Sequence, residues 1–217
     1  VTADDYKVLV KSLYANAQSV QVYGGEDAAT PDYGKVYISI KAKSGSNLTE
    51  VTKTSLVQSL KSFAVASVTP VIIDPETTFI TLTTTFKYDS SLTTKDVSTL
   101  ETNVVEAITG YNTDTLENFT GMFRYSAVGK TIDDADSSIL SNITKVKMYK
   151  YITPTLSSGL KYTLSFNNAF YNPHSGHNSS AGGIVSSTGF KINNDSSTNE
   201  HFLDDDGAGN IRVYYLS

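Results

Sequence analysis

The residues of this chain that could do chemistry are few, and their spacing serves it poorly. His174 and His177 stand three apart, a spacing that binds zinc when a helix or hairpin presents both rings together. Here they sit in a Pro-Ser-Gly-Asn loop with no nearby carboxylate and no cysteine anywhere in the chain. A solvent-exposed loop is the better reading. The run Asp204-Asp205-Asp206-Gly207-Ala208-Gly209 has the outline of a calcium loop. An EF-hand starting at Asp204 would place Asp206 third and Gly209 sixth, but Ala208 fifth and Tyr215 twelfth. That last position must be a bidentate glutamate. A turn fits better, because Gly and Asn tolerate positive φ and Asp satisfies local backbone donors. Asp133, Asp134 and Asp136 could face a cation, yet three short-spaced acids without further ligands read as a solvated helix end or turn. Glu26 and Asp27 are adjacent carboxylates, and adjacency does not place two acids across a glycosidic bond.

No nucleophile is paired with a base. There is no G-x-S-x-G elbow, no H-E-x-x-H and no phosphate-cradling loop, and Gly24-Gly25 is only a turn signal. The expectation is therefore no enzyme, with no catalytic residue, no cofactor-binding residue and no metal ligand. The 217 residues carry a net charge of −5 without a basic cluster, which argues against nucleic acid as a partner. No apolar run approaches the roughly 18 residues of a membrane span, so no membrane partner is expected, nor any small-molecule substrate. The chain begins with Val1 and shows no signal peptide. It reads as a piece of something longer, with Val1 near a cleavage or cloning boundary.

The elements that must carry these residues are easier to read. Residues 19–45 organise the chain: two strand-like runs, 19–23 and 35–43, flank a segment holding Gly24, Gly25, Pro31 and Gly34. Val36, Ile38, Ile40 and Ala42 alternate with Lys35, Tyr37, Ser39, Lys41 and Lys43, the period of a strand with one buried and one wet face. This predicts a long-looped hairpin. Before it, Thr2 reads as an N-cap with Asp4 and Asp5 in the first turn, and Tyr6, Leu9, Val10, Leu13 and Ala17 form an apolar stripe ending near Asn16. After it, Asn47 with Glu50 predicts a capped helix whose face is Val51, Leu56, Leu60, Phe63 and Ala64. A short run at 71–73 follows Pro70 and closes at Asp74-Pro75.

Residues 78–88 alternate most clearly, with Ile80, Leu82, Thr84, Phe86 and Tyr88 on one face and Phe79 and Thr81 on the other. Thr93 with Asp96 predicts the cap of a helix bearing Val97, Leu100, Val104 and Ile108. Between 112 and 136 the signal weakens, because Gly121 and Gly129 interrupt a stripe of Leu116, Phe119, Phe123 and Ala127. Alternation returns over 144–152. The fold class is α+β, an antiparallel sheet with helices packed on one face, followed by a β-rich C-terminal extension. The domains are 1–153 and 154–217, the second being rich in Tyr, Ser and Gly and packed on the first. Within it, 160–170 reads as a strand, 190–192 as a piece of another, and 201–204 with 210–216 as a closing hairpin.

The segment V-x-V-Y-G-G-E-D over 20–27, followed by P-x-Y-G-K-V-Y-I-S-I-K over 31–41, resembles the J-like baseplate family of contractile-tailed phages. So do the Thr2-Ala-Asp-Asp-Tyr6 entry to the first helix and the pattern Phe123-Arg-Tyr-Ser, Ile132-Asp-Asp-Ala-Asp136, Ser141-Asn142 and Val146-Lys-Met148. These features cover roughly 2–150, and their order along one chain carries the likeness. The ending Asp206-Gly-Ala-Gly-Asn-Ile-Arg-Val-Tyr-Tyr215 is similar to the branch of large baseplate wedge proteins of T-even-type phages, of whose C-terminal part this chain would be a stretch. The resemblance implies a structural subunit of a tail baseplate that dimerises, contacts other wedge proteins and helps form the inner ring linking the wedges. It also implies a place in the virion after assembly in the host cytoplasm, and it brings no catalytic residues. The Tyr-rich, weakly charged strand faces around Tyr149, Tyr151 and Tyr162 agree with self-association. The alternative is a receptor- or glycan-binding tail module, which a Tyr- and Asn-rich β tail also suits, although the chain has no Trp for sugar stacking.

Ile211, Val213 and Tyr215 share one face of the last arm, and Arg212, Tyr214 and Leu216 the other. Both faces are too apolar for a solvated edge. The arm is expected to be paired or buried, against the fold or a partner subunit, and Val213→Asp to damage the protein far more than Asp205→Asn.

Overall fold

A computed structural model describes residues 2–28, 30–44, 47–63, 68–169, 184–193, 195–196 and 199–216. The chain divides into two compact units, Val1–Ile152 and Thr153–Ser217.

The first unit opens with α1, Ala3–Leu13. Thr2 caps it reciprocally: its hydroxyl accepts from Asp5 N at 3.3 Å while Asp5 accepts from Thr2 N at 2.6 Å, which satisfies two of the helix's orphan donors. The helix stops at Leu13, three residues short of the expected end, because the chain turns through Tyr14 into β1, Ala17–Gly24. β1 pairs antiparallel with β2, Lys35–Ala42, giving the hairpin its alternation implies. Its loop is knotted at Gly25, whose carbonyl accepts from Asp32 N at 2.9 Å and Ala28 N at 3.2 Å. A Cβ on Gly25 would lie 1.8 Å from the Asp32 carbonyl oxygen, so only glycine fits.

From β2 the chain crosses through α2, Glu50–Lys61, to β3, Thr69–Ile73. A helical crossover returns the strand in the same direction, so β2 and β3 are parallel. The three form one sheet in the order β1-β2-β3. The cap of α2 is Thr49, its hydroxyl accepting from Thr52 N at 3.3 Å, rather than Asn47. Leu48 explains the shift: it is buried in the core, which keeps the chain extended until Thr49. On α2 itself only Leu56 and Leu60 are buried, while Val51 and Phe63 are exposed; Ala64 lies outside the described residues. The core of this half joins Tyr6 and Val10 of α1, Val20 and Val22 of β1, Ile38 and Ile40 of β2, and Leu60 of α2.

β4, Phe79–Tyr88, does not continue this sheet. It pairs antiparallel with β5, Ile139–Tyr149, as a separate two-stranded ribbon. The α+β class stands, but the strands before and after Asp74-Pro75 belong to different sheets. α3, Val97–Tyr111, is capped by Asp96, whose carboxylate accepts from Thr99 N at 2.8 Å; Thr93 instead accepts from Lys95 N. A wide turn at Asn112–Leu116 leads to α4, Tyr125–Asp133. Val104, Val128, Ile132 and Ile139 form this half's core, with Leu82 and Phe86 packed on it.

The halves of the first unit meet over the polar face of the β1–β2 hairpin. Gln18 Nε2 donates to Thr113 O at 3.2 Å, Phe119 N donates to Ser19 Oγ at 3.2 Å, and Lys41 lies 3.7 Å from Glu117. The face expected to be wet is thus partly covered, and Ser39 on it is buried. Tyr6 is also buried, and its hydroxyl meets no partner among the described residues. Removing an unsatisfied buried polar group relieves its desolvation cost. Tyr6→Phe is therefore expected to leave urea stability unchanged or raise it by up to about 1 kcal/mol; a loss of that size would show that the hydroxyl is bonded.

In the second unit the described part of the expected strand, 160–169, has no regular structure. Its alternating Leu160, Tyr162 and Leu164 are exposed, with no strand beside them among the described residues to take their backbone bonds. Phe190 makes a single bridge to His201. The closing hairpin is present as β6, His201–Asp205, and β7, Ile211–Tyr215. Its turn places Gly207 at φ 71° and Gly209 at φ 95°.

Candidate assembly surfaces

The aspartates at 133–136 and 204–206 singled out for chemistry are occupied with structural work. Asp133 accepts from Asn142 Nδ2 at 2.8 Å, and Asp134 pairs with Lys130 at 2.5 Å at the end of α4. Asp136 accepts from Lys95 Nζ at 2.6 Å and from Ser138 N and Oγ at 3.0 and 2.7 Å. A shallow hollow lined by 91–95 with Asp136 and Ser137 is the nearest thing to a pocket there, and the carboxylate in it is already spent. Glu26 and Asp27 lie in the short helical turn Gly25–Asp27 at the hairpin loop. His174 and His177 lie outside the described residues. Among the described residues no cluster of His, Asp or Glu could hold a metal ion.

The aspartates at 204–206 build the last turn. Asp204 takes the Arg212 guanidinium in a two-pronged pair at 3.0 and 2.9 Å. Asp205 accepts from Val185 N at 2.7 Å and Gly207 N at 2.9 Å. Asp206 accepts from Asn210 Nδ2 and from the Ala208 and Asn210 amides at 2.8–3.1 Å. The Asn210 side chain first, then the Ala208 amide, hold the Asp206 carboxyl down to about 2.

Asp136 is also held well below the ordinary carboxylate value, first by the Lys95 ammonium and then by Ser138. Asp96 is lowered by Thr99, and Asp32 by Lys35 and Tyr37. A depressed carboxylate favours the folded state above its unfolded value near 3.8 and loses that contribution as pH falls toward its folded value. The urea midpoint is therefore expected to be flat above about pH 5 and to fall below about pH 4. Asp136→Asn should make that fall shallower; a parallel fall would show that Asp136 contributes none of it.

What the structure offers instead is exposed strand. On the β4–β5 ribbon one face packs on α3 and α4 and the other is open. At one end of the open face Phe79 and Tyr149 stack with centroids 5.1 Å apart and planes 17° from parallel, and Tyr151 meets both edge-on. In the second unit every residue of β7 is exposed, including Ile211, Val213 and Tyr215. The arm is paired with β6, yet neither of its faces is buried. This corrects the expected ranking of the two substitutions, because Val213 projects outward while Asp205 holds two backbone amides.

Comparison with known proteins gives the class: residues 2–73 match the baseplate structural protein gp6, C-terminal domain I, and 76–151 match its C-terminal domain III. The boundary at Asp74-Pro75 is where the first sheet ends and the separate ribbon begins. The chain belongs to this gp6 family of phage baseplate structural proteins. Among its relatives, the baseplate wedge protein gp6 of Enterobacteria phage T4 is 31% identical over 168 residues, 75% of this chain and 24% of that protein. The chain thus spans about a quarter of that relative's length.

Proposed function

We propose that this chain is the C-terminal dimerisation and assembly module of a baseplate wedge protein, helping to form the inner baseplate ring. In this reading it works in the virion tail after assembly in the host cytoplasm, without a catalytic step. Its partners are a second copy and other wedge proteins. The observation that carries the reading is family membership over 2–151.

The self-contact is assigned to β7. Its residues other than Arg212 are apolar or aromatic, and among the described residues it has a strand on one side only. Two copies could pair across its open edge about a two-fold axis, which is self-complementary. The faces around Tyr149 and Tyr151 suit this less well, because Lys145 and Lys147 share the open face with Tyr149 and would meet their own kind. A glycan-binding role finds little support: Phe79 and Tyr149 turn their faces to each other, so those faces are not offered to a sugar. Co-expression with the other wedge proteins tests the assembly role. A stoichiometric complex that survives gel filtration is expected, and a chain that elutes alone from every pairwise combination would overturn the reading.

A further inference from the structure

The open face of the β4–β5 ribbon carries Thr81 opposite Lys147, Thr83 opposite Lys145, and Lys87 opposite Ser141. No carboxylate occupies any of the paired positions on this face. The ammonium groups of Lys87, Lys145 and Lys147 have no ion pair or hydrogen bond among the described residues. Several lysines elsewhere in the first unit are paired: Lys53 with Asp74, Lys95 with Asp136, and Lys150 with Glu76. A chain of net charge −5 thus concentrates uncompensated positive charge on one flat strip.

The ribbon has only two strands, so among the described residues the outer edge of β5 has no neighbour. Tyr125 Oη donates to Thr144 O at 2.9 Å, and Lys145–Tyr149, which carries two of the three lysines, lies beyond that cover. We propose that this stretch receives an extended, carboxylate-rich segment of a partner protein, added to the ribbon as a third strand. Side chains two residues apart on one strand face stand roughly 7 Å apart, and directly opposed cross-strand positions come within about 5.5 Å. Acids at alternate positions of the incoming strand would therefore stand beside Lys145 and Lys147.

Lysines on an edge also discourage pairing of identical strands. A second copy laid antiparallel about Val146 would set Lys145 against Lys147, so the same charges that repel this chain select an acidic partner. Nucleic acid and anionic membrane fit less well, since the strip holds three ammoniums and no arginine while the whole chain repels polyanions. The dimer contact assigned to β7 is not involved, and either assignment can fail without the other.

The test uses the isotope-labelled 217-residue chain titrated with a synthetic heptapeptide alternating glutamate and valine. The same peptide with glutamine or lysine in place of glutamate is the comparison. Amide shifts confined to Lys145–Tyr149 and the β4 residues opposite them are expected. Binding should be at least about tenfold tighter for the glutamate peptide than for the glutamine one, and weakened in about 0.5 M salt. Lys145→Glu/Lys147→Glu, at two exposed positions, should keep its melting temperature, lose the glutamate peptide and gain the lysine one. Equal binding of glutamate and glutamine peptides, shifts elsewhere, or a stronger response to phosphatidylglycerol vesicles or duplex DNA would overturn the proposal. So would a neutral Lys145→Gln/Lys147→Gln variant that only self-associates while the native chain ignores the glutamate peptide, since the lysines would then be edge guards alone.

Discussion

Ile38→Ala is expected to lower the unfolding free energy by about 2–5 kcal/mol, the cost of a cavity in a packed core. Ile38 is fully buried at the centre of β2, in the cluster that joins α1, α2 and both strands of the hairpin. Both neighbours of β2 are fixed through their pairing to it, β1 antiparallel and β3 parallel, so local collapse around the lost methyls is restricted. Ile132→Ala, in the separate core beneath the ribbon, should cost a similar amount. Because the two residues share no core neighbours, the double variant should lose close to the sum. Urea unfolding followed by circular dichroism measures all three. A loss under about 1 kcal/mol for Ile38→Ala would mean that the hairpin is not the centre of its half.

The second large effect is on association. Val213 is 56% exposed on the last strand, so an aspartate there stays solvated in the single chain and should leave the melting temperature nearly unchanged at concentrations below the native dissociation constant, where no dimer contributes. In a dimer paired through β7, each copy would instead carry an unpaired carboxylate into the contact. The dissociation constant of the self-complex is expected to rise at least about 100-fold, equivalent to about 2.7 kcal/mol. Asp205→Asn should behave in the opposite way. It weakens the bonds to Val185 and Gly207, lowering stability by about 1 kcal/mol while leaving association alone. If, below the native dissociation constant, Val213→Asp melts far below the native chain and Asp205→Asn does not, the strand is buried in its own chain and the assignment to a partner surface is wrong.

Local signals in the chain were legible where one residue decides the outcome. Thr2 with Asp5 forms the reciprocal cap its spacing implies, and the alternation from Phe79 to Tyr88 does separate an open face from a packed one. The hairpin was legible because both runs have period two and the segment between them is rich in glycine. The register of caps was harder, since Asn47 and Thr49 are both good capping residues and the burial of Leu48 decides between them. Which strands share a sheet is not a local property. Nothing in Val71, Ile72 and Ile73 says that they lie parallel to β2; the α2 crossover dictates it. Leu160, Tyr162 and Leu164 show the limit of periodicity, because an alternating pattern becomes a strand only where another strand accepts its backbone bonds. Val213 shows the same limit for burial: an apolar pattern marks a surface that needs covering, without saying whether its own chain covers it.

The reading of this chain as a self-associating assembly module is tested most directly by sedimentation equilibrium of the native chain at tens of micromolar. A mass twice that of the single chain, reverting to monomer in Val213→Asp, is expected. A monomer throughout that concentration range, for the native chain and the variant alike, would contradict it.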